Sequence, residues 1–200
     1  MIAVTLKQLE ILLNKFPDVK LGNESYPFKI KSMAGGRKAG AFVTYSHLVG
    51  NFDLHLKKEF FSKFWRPLKA RQNKKNLNIY TTKRGAARII IAHEFGHIVH
   101  NHLLATKIGL ERIRNHAWPN DYRKSLIDEF VKEIKEKAID INDGQPIDMY
   151  MSKYGDTAST EWFAEAFCHA MMTNNKDLSP IGKAMLWYLK KEGLLYDDAT

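Results

Sequence analysis

The chain has 200 residues, of which 44% are hydrophobic and 26% charged, and this composition excludes a fibrous repeat and a wholly disordered chain. Its 31 lysines and arginines against 22 acidic residues give a formal net charge of +9, which favours anionic partners or acidic substrates through long-range attraction. Cys168 is the only cysteine, so an internal disulfide framework and a metal site of paired thiolates are excluded.

The N-terminal residues lack a basic stretch followed by a long apolar core, and no window reaches the ~20 apolar residues of a membrane span. We therefore expect a soluble protein without a signal peptide and without a membrane partner, cytoplasmic by default, although delivery by a non-Sec route stays open. The length predicts a single domain over residues 1–200, with a small sheet and a buried helix in 1–106 and a helical part in 107–200. Whether the chain is free-standing or part of a larger protein, and its oligomeric state, stay open.

The N-terminal half predicts one helix and a small sheet. Apolar residues at three-and-four spacing predict an amphipathic helix over residues 5–16 that ends before Pro17. Residues 41–46 and 52–56 predict two strands joined by a turn, and residues 77–81 predict a third strand. The sheet therefore precedes the main helices.

The C-terminal half predicts mostly helices. Residues 84–105 carry apolar side chains almost all round, as expected of a helix buried in the centre of a domain. Three further amphipathic helices are predicted at residues 125–139, 159–173 and 181–192. Ser125 and Asp128 have the spacing of a capping box at the start of the first of these three. The fold class expected is α+β.

Residues 57–75 form a basic segment that also contains aromatic residues. Its eight lysines and arginines interleave with Phe60, Phe61, Phe64 and Trp65. A basic run with aromatics is typical of nucleic-acid binding. An amphipathic segment with buried aromatics and solvated lysines explains the pattern better, so nucleic acid stays a possible partner that is not favoured.

The sequence His-Glu-Phe-Gly-His occupies residues 93–97, within the strongest predicted helix. Residues four apart on a helix are ~40° apart around the axis and ~6 Å along it, so His93 and His97 can reach one ion from the same face. Neutral imidazole suits Zn²⁺, and Glu94 beside this face can act as a general base. The alternative is a pair of hydrogen-bonded core histidines, but unpaired polar groups in a core cost ~1–3 kcal/mol each.

A catalytic zinc needs three protein ligands and one open position, so a third ligand must come from elsewhere. The metzincin extension is excluded because Leu103 stands where that class has a third histidine. Glu161 and Glu165 are four apart in the predicted helix over 159–173 and share one face. One carboxylate can bind the metal while the other holds a ligand histidine by its second N–H. The alternative for these two acids is a solvated stripe on an amphipathic helix.

The motif at 93–97, together with Tyr154-Gly155 and Glu-Trp-Phe-Ala-Glu-Ala-Phe at 161–167, resembles the catalytic domain of anthrax lethal factor and related gluzincin peptidases, including phage and toxin-associated domains. By position, the resemblance implies that Glu161 is the third zinc ligand, that Glu165 supports the ligands, and that Tyr154 is the phenol that stabilises the tetrahedral intermediate. It also implies a zincin-like fold.

The chain departs from this family pattern at two positions. Ala158 stands where relatives often have an asparagine able to cap the helix, and Trp162 replaces a phenylalanine. The hydroxyls of Thr157 and Ser159 suit an N-cap, so we expect one of these residues to cap the helix instead.

The resemblance implies a zinc-dependent endopeptidase with one Zn²⁺ ion and a peptide or protein substrate that pairs with a sheet edge drawn from residues 41–56. Two alternatives stay open: a basic nucleic-acid- or virion-associated binding module with a structural or degenerate zinc site, and a structural domain that has lost its metal. His100 lies too far along its helix for the ion that His93 binds, so a supporting role and a plain core hydrogen bond both stay open. The sequence alone identifies neither the substrate and its cleavage preference nor the biological role.

Overall fold

The secondary structure is mixed α+β, as the sequence predicts. The structure is a computed structural model that describes residues 2–25, 27–33, 41–46, 51–57, 83–109, 120–173 and 177–196. The helices are α1 (Ile2–Lys15), α2 (Lys83–Ile108), α3 (Asn120–Ile141), α4 (Ser159–Met172) and α5 (Pro180–Lys191). The strands are β1 (Lys29–Met33), β2 (Ala41–Ser46) and β3 (Asn51–Lys57), and short 3-10 turns lie at Asp148–Tyr150 and Gly155–Thr157. The small sheet precedes the long helices, as expected.

Two sequence predictions fall outside the described residues. The expected strand over 77–81 is one of them, and the basic segment over 57–75 beyond its first residue is the other. Both stay predictions.

The three described strands form one sheet in the order β1-β3-β2, with β1 parallel and β2 antiparallel to β3. Along the central strand β3, Phe52, Leu54 and Leu56 are buried and alternate with more polar residues, the period of two that a half-buried strand requires. On the opposite face, the His55 ring stacks on Phe42 across the strands, with ring centroids 4.3 Å apart. One face of the sheet is therefore apolar, and β2 packs that side of the molecule against α2.

Helix α2 lies at the centre of the described structure and packs on α1, β2, α3 and α4. Its buried side chains occupy nearly every direction around the helix, and they include Ile89, Ile91, Ala92, Phe95, Ile98, Val99, Leu103 and Leu104. The prediction of a central buried helix is confirmed, and the helix extends three residues beyond the predicted end at 105. Among the described residues, no helix combines the length and apolarity needed to cross a bilayer.

Helices α2 and α4 approach each other closely at Gly96. A Cβ atom placed on Gly96 would lie 2.8 Å from the Cα of Ala164 and 3.2 Å from the Cβ of Phe167. The absence of a side chain at Gly96 and the small one at Ala164 therefore let the two backbones come into contact. His93 and Glu161 each lie three residues before this contact on their own helix, so the close approach brings them into the same region.

Three aromatic rings join α1 to the contact between α2 and α4. The ring of Phe16, just after α1, lies 5.8 Å from Phe95 and 5.4 Å from Phe167, and the latter two are 5.9 Å apart. All three side chains are fully or almost fully buried. These tilted arrangements add to the area that the rings bury, and they hold α1 beneath both helices.

The last helix has a side-chain cap at its start and a glycine just after its end. Ser179 caps α5 by accepting a hydrogen bond from the backbone N–H of Gly182 at 3.1 Å, and Pro180 occupies the first helical position. Gly193, just after the helix, has φ of +70°, a left-handed conformation that glycine adopts without strain.

The predicted caps of α3 and α4 are wrong. Helix α3 begins at Asn120, so Ser125 lies inside the helix and cannot form a capping box with Asp128. Helix α4 is capped by Ala158 without any side-chain hydrogen bond. Ser159 instead donates its hydroxyl to the Asp128 carboxylate, and Thr157 donates to the carbonyl of Tyr154. The Ser159 hydroxyl therefore joins α4 to α3, and the Thr157 hydroxyl bonds within its own turn.

Enlarging residue 96 tests the contact between α2 and α4. We expect Gly96→Ala to lower the free energy of unfolding by ~1–3 kcal/mol, because the new methyl group has no room beside the backbone of α4. Gly96→Val should destabilise the protein further. Urea unfolding measures both, and a wild-type stability for the valine variant would show that the helices do not touch at this point.

Candidate metal centre

His93 and His97 on α2 and Glu161 on α4 form a group that could hold a metal ion. One ligand atom from each residue lies within 4.8 Å of the others. The Nε2 atoms of His93 and His97 are 3.0 Å and 3.7 Å from the same carboxylate oxygen of Glu161. The two imidazole rings meet edge to face, with centroids 4.9 Å apart. The three residues that the sequence nominates as ligands therefore lie together at the contact of two helices.

The charges of these three residues and of their neighbours favour the binding of a cation. Desolvation acts to raise the pKa of Glu161, but the hydrogen bond to His93 and the nearby imidazole of His97 hold this pKa far below its usual range. Desolvation acts to lower the pKa of His97, yet the nearby carboxylates of Glu161 and Glu94 leave the pKa above its ordinary value. Protons and a metal ion would therefore compete for the same ring nitrogens.

Glu94 is buried beside the same group. Burial raises the pKa of the Glu94 carboxyl, although the neighbouring His93 and His97 act to lower it, and the backbone N–H of Val43 on β2 donates a hydrogen bond to the carboxylate. The Oε2 atom of Glu94 is buried and has no hydrogen-bond partner within the described parts of the chain. A buried carboxylate oxygen without a partner is costly, which is typical of a group kept for binding or chemistry rather than for stability.

His100 supports His97 from the side away from Glu161. Its Nε2 atom lies 3.1 Å from the Nδ1 atom of His97, and its ring packs edge-on against Phe163. Burial, with the nearby charges of His97 and Arg123, lowers the pKa of His100 well below its ordinary value, so the ring is neutral and can accept a hydrogen bond. When Nε2 of His97 binds a metal, its Nδ1 carries the proton, and His100 fixes the orientation of that ring.

A further polar connection, not found from the sequence, fixes the backbone at His97. The side-chain amide of Asn101 donates to the carbonyl of His97 at 2.8 Å and accepts a hydrogen bond from Arg123 on α3 at 3.1 Å. Asn101 is buried. This connection anchors the end of the motif at 93–97 to a third helix.

Tyr154 lies at the edge of the group. It directly precedes the 3-10 turn Gly155–Thr157, and its ring centroid is 6.1 Å from that of His93. Tyr154 is 37% exposed, so its ring is accessible from solvent. The predicted role of its phenol in the reaction stays a prediction.

Glu165, one turn after Glu161 on α4, is buried and binds the segment that precedes Tyr154. Its Oε1 atom accepts the backbone N–H of Ser152 at 2.8 Å, and its Oε2 atom accepts the hydroxyl of the same serine. The predicted contact between Glu165 and a ligand histidine stays a prediction. Ser152 was not nominated from the sequence, because an isolated serine in a turn gives no signal of its partner.

Comparisons with protein-family models, with curated proteins and with solved structures found no match to this chain. The function is therefore inferred from the side chains of the site. They offer two imidazole nitrogens, one partly exposed carboxylate oxygen and, beside them, the buried carboxylate of Glu94.

Replacing His100 tests its support of His97. We expect His100→Phe to weaken Zn²⁺ binding by about 10- to 100-fold, because the N–H of His97 loses its acceptor. His100→Gln places an amide oxygen near the position of Nε2 and should retain most of the affinity. Competition with a chromophoric chelator measures the affinities, and equal losses in the two variants would show that only packing matters at this position.

The buried carboxylate of Glu94 predicts a pH-dependent gain of stability on its removal. In metal-free protein at pH 8, we expect Glu94→Gln to raise the free energy of unfolding by ~1–3 kcal/mol, because the variant no longer buries a charged oxygen that lacks a partner within the described structure. As the pH falls through the raised pKa of Glu94, the wild-type carboxyl takes up a proton and the difference should shrink.

Urea unfolding with excess chelator, repeated from pH 8 to pH 5, measures this difference. Glu136→Gln is the matched control, because Glu136 is an exposed glutamate on α3 paired only with Lys132 in the described structure. A Glu94→Gln variant that is less stable than wild type at pH 8 would contradict the prediction.

Proposed function

We propose that the protein is a zinc-dependent endopeptidase of the gluzincin type with a zincin-like fold, in which His93, His97 and Glu161 hold one Zn²⁺ ion. The observation that carries this proposal is the meeting of three ligand atoms within 4.8 Å beside the buried carboxylate of Glu94, one oxygen of which has no hydrogen-bond partner in the part of the chain that the structure describes. A structural zinc site is usually closed by four protein ligands, whereas three ligands with a neighbouring base are typical of a hydrolytic site.

The choice of zinc follows from the donor atoms. Two imidazole nitrogens and one carboxylate oxygen suit Zn²⁺ better than the oxygen-seeking Mg²⁺ or Ca²⁺. When bound, zinc would polarise a substrate carbonyl and lower the pKa of a water molecule toward ~7.

Glu94 supplies the proton transfer. Its Oε2, which has no hydrogen-bond partner among the described residues, takes a proton from the attacking water as the water oxygen bonds to the scissile carbonyl carbon. The carbon–nitrogen bond then breaks, and Glu94 passes the same proton to the leaving amine. The raised pKa of Glu94 suits both steps, because a carboxyl of ordinary acidity would hold the proton less well. The N–H of Val43 keeps the other carboxylate oxygen in place during the cycle.

Tyr154 stabilises the charge that develops on the carbonyl oxygen. Its phenol donates a hydrogen bond to this oxyanion, an interaction that becomes stronger in the transition state than in the bound substrate. The proposal draws on the position of the ring next to His93 and on its exposure to an approaching substrate.

Strand β2 offers the substrate a place to bind. It is the outer strand of the described sheet on the side of α2, and the N–H of Val43 on this strand reaches Glu94. An extended peptide that pairs with this edge would pass directly beside the base. This mode of binding suits an endopeptidase, because backbone pairing requires neither terminus of the peptide.

Two substitutions separate catalysis from metal binding. We expect Glu94→Gln to bind one equivalent of zinc and to lose turnover by about 10²- to 10⁴-fold, because the metal ligands remain while the base is lost. Glu161→Ala should lose zinc affinity and activity together. Zinc analysis and hydrolysis of a peptide library, with and without chelator, measure these effects, and Glu136→Gln serves as the control.

Two outcomes would overturn the proposal. One is peptide hydrolysis that survives Glu94→Gln or exhaustive chelation. The other is a zinc-loaded wild-type protein that cleaves no peptide of the library but binds DNA with a strong salt dependence, which would favour the basic binding module.

A further inference from the structure

The residues on either side of Tyr154 are held by a compact set of hydrogen bonds among side chains that have no role in the proposed reaction. Ser152 donates both its backbone N–H and its hydroxyl to the buried carboxylate of Glu165. The same hydroxyl oxygen accepts the backbone N–H of Gly155 at 3.0 Å. We call this set, formed by Ser152, Gly155 and Glu165, the Ser152 clamp. Ser152 and Gly155 lie on either side of Tyr154 in the chain.

Gly155 completes the clamp because it lacks a side chain. A Cβ atom on Gly155 would lie 2.5 Å from the Oε2 atom of Glu165 and 2.9 Å from the Cε atom of Met151. Any side chain at this position would therefore have to displace the Glu165 carboxylate and the end of the Met151 side chain. The close approach of the chain to Glu165 fixes the backbone immediately after Tyr154.

The backbone of Tyr154 is also held from the other side. Its carbonyl oxygen accepts hydrogen bonds from the N–H of Thr157 at 3.1 Å and from the Thr157 hydroxyl at 2.6 Å. The N–H of Asp156 donates to the carbonyl of Ser152 at 3.1 Å. The direction in which the Tyr154 side chain leaves the turn is therefore determined by bonds within the turn and by Glu165.

Helix α4 carries both the proposed metal ligand, Glu161, and the carboxylate of the clamp, Glu165. Glu161 and Glu165 are one turn apart on this helix, so the distance between them is set by a rigid backbone. Glu161 meets His93 and His97, while Glu165 meets the Tyr154 turn. A side chain that must act within hydrogen-bond reach of a reacting atom needs this kind of support.

We propose that Glu165 acts through Ser152 as a positioning residue for Tyr154, so that one helix places both the metal ligand and the phenol. This inference rests on the proposed function, since it assigns Tyr154 a place in the reaction. It differs from support of a ligand histidine in one measurable respect, because loss of the clamp should change turnover and leave metal affinity unchanged.

Ser152→Ala tests the clamp in the zinc-loaded full chain. We expect kcat to fall by about 10- to 100-fold, because a small displacement of the phenol removes it from the oxyanion. KM and the zinc dissociation constant should not change. In a Tyr154→Phe background, Ser152→Ala should cause no further loss of kcat, because the hydroxyl that the clamp positions is already absent.

Ser179→Ala is the matched control. Its hydroxyl accepts the N–H of Gly182, three residues on, just as the hydroxyl of Ser152 accepts that of Gly155. It lies at the start of α5 and contacts His169 rather than the site. We expect a comparable fall in melting temperature in this variant and a wild-type kcat.

A second measurement does not depend on turnover. In protein labelled with 3-fluorotyrosine, the ¹⁹F resonance of Tyr154 is identified by its disappearance in Tyr154→Phe. This resonance should shift in Ser152→Ala and in Glu165→Gln but not in Ser179→Ala. If the shifts occur while wild-type protein cleaves no peptide, the clamp stands and the peptidase proposal fails.

The positioning role would be overturned by either of two results. The first is an equal loss of kcat from Ser152→Ala in the wild-type and Tyr154→Phe backgrounds. The second is a Tyr154 resonance that stays in place in both clamp variants. A fall in zinc affinity in Glu165→Gln without a change at Tyr154 would assign Glu165 to the ligand histidines instead.

Discussion

The site exists because two helix backbones can touch. At Gly96 the polypeptide of α2 comes so close to Ala164 that a single methyl group would not fit between them. The imidazoles on α2 and the carboxylate on α4 have short reach, so a wider separation of the axes would leave them facing different regions of the protein. A glycine within a helix lowers its stability by ~0.5–1 kcal/mol relative to alanine, which indicates that packing rather than helix propensity determines this residue.

The charged groups of the site are arranged to bind a cation rather than to stabilise the fold. Glu94 is buried, and His97 and Glu161 are partly buried. Burial raises the pKa of Glu94, whereas the proximity of His97 and Glu161 to each other raises the pKa of the imidazole and lowers that of the carboxyl. Collecting like-charged carboxylates in a desolvated region is unfavourable unless a cation or a proton joins them. The remaining elements keep these groups in place: β2 through Val43, α3 through Arg123 and Asn101, and the neutral ring of His100 behind His97.

The sequence revealed those features that depend on local spacing. The central helix and the pairing of His93 with His97 on one face follow from helical periodicity and ligand chemistry. Periodicity also puts Glu161 and Glu165 on one face, but the choice of Glu161 as the third member of the group came from the resemblance to gluzincin peptidases. Features that join distant segments were missed or wrong. Ser125 and Asp128 have the spacing of a cap, but Asp128 is used by Ser159, 31 residues away. Strand β1 pairs in parallel with β3, and Glu165 finds Ser152, through contacts that no local pattern encodes.

The aromatic cluster around Phe16 connects the N-terminal helix to the two helices that carry the site. The N-terminal helix itself supplies none of the proposed ligands. The rings of Phe95 and Phe167 belong to the two motif-bearing helices, and Phe16 fills the space beneath both. Arg88 on α2 also donates to Gln8 on α1 at 2.8 Å. The smallest fragment able to reproduce the metal centre is therefore not the stretch that contains the two motifs. A version trimmed to that stretch would expose two phenyl rings and leave the helices without a common support.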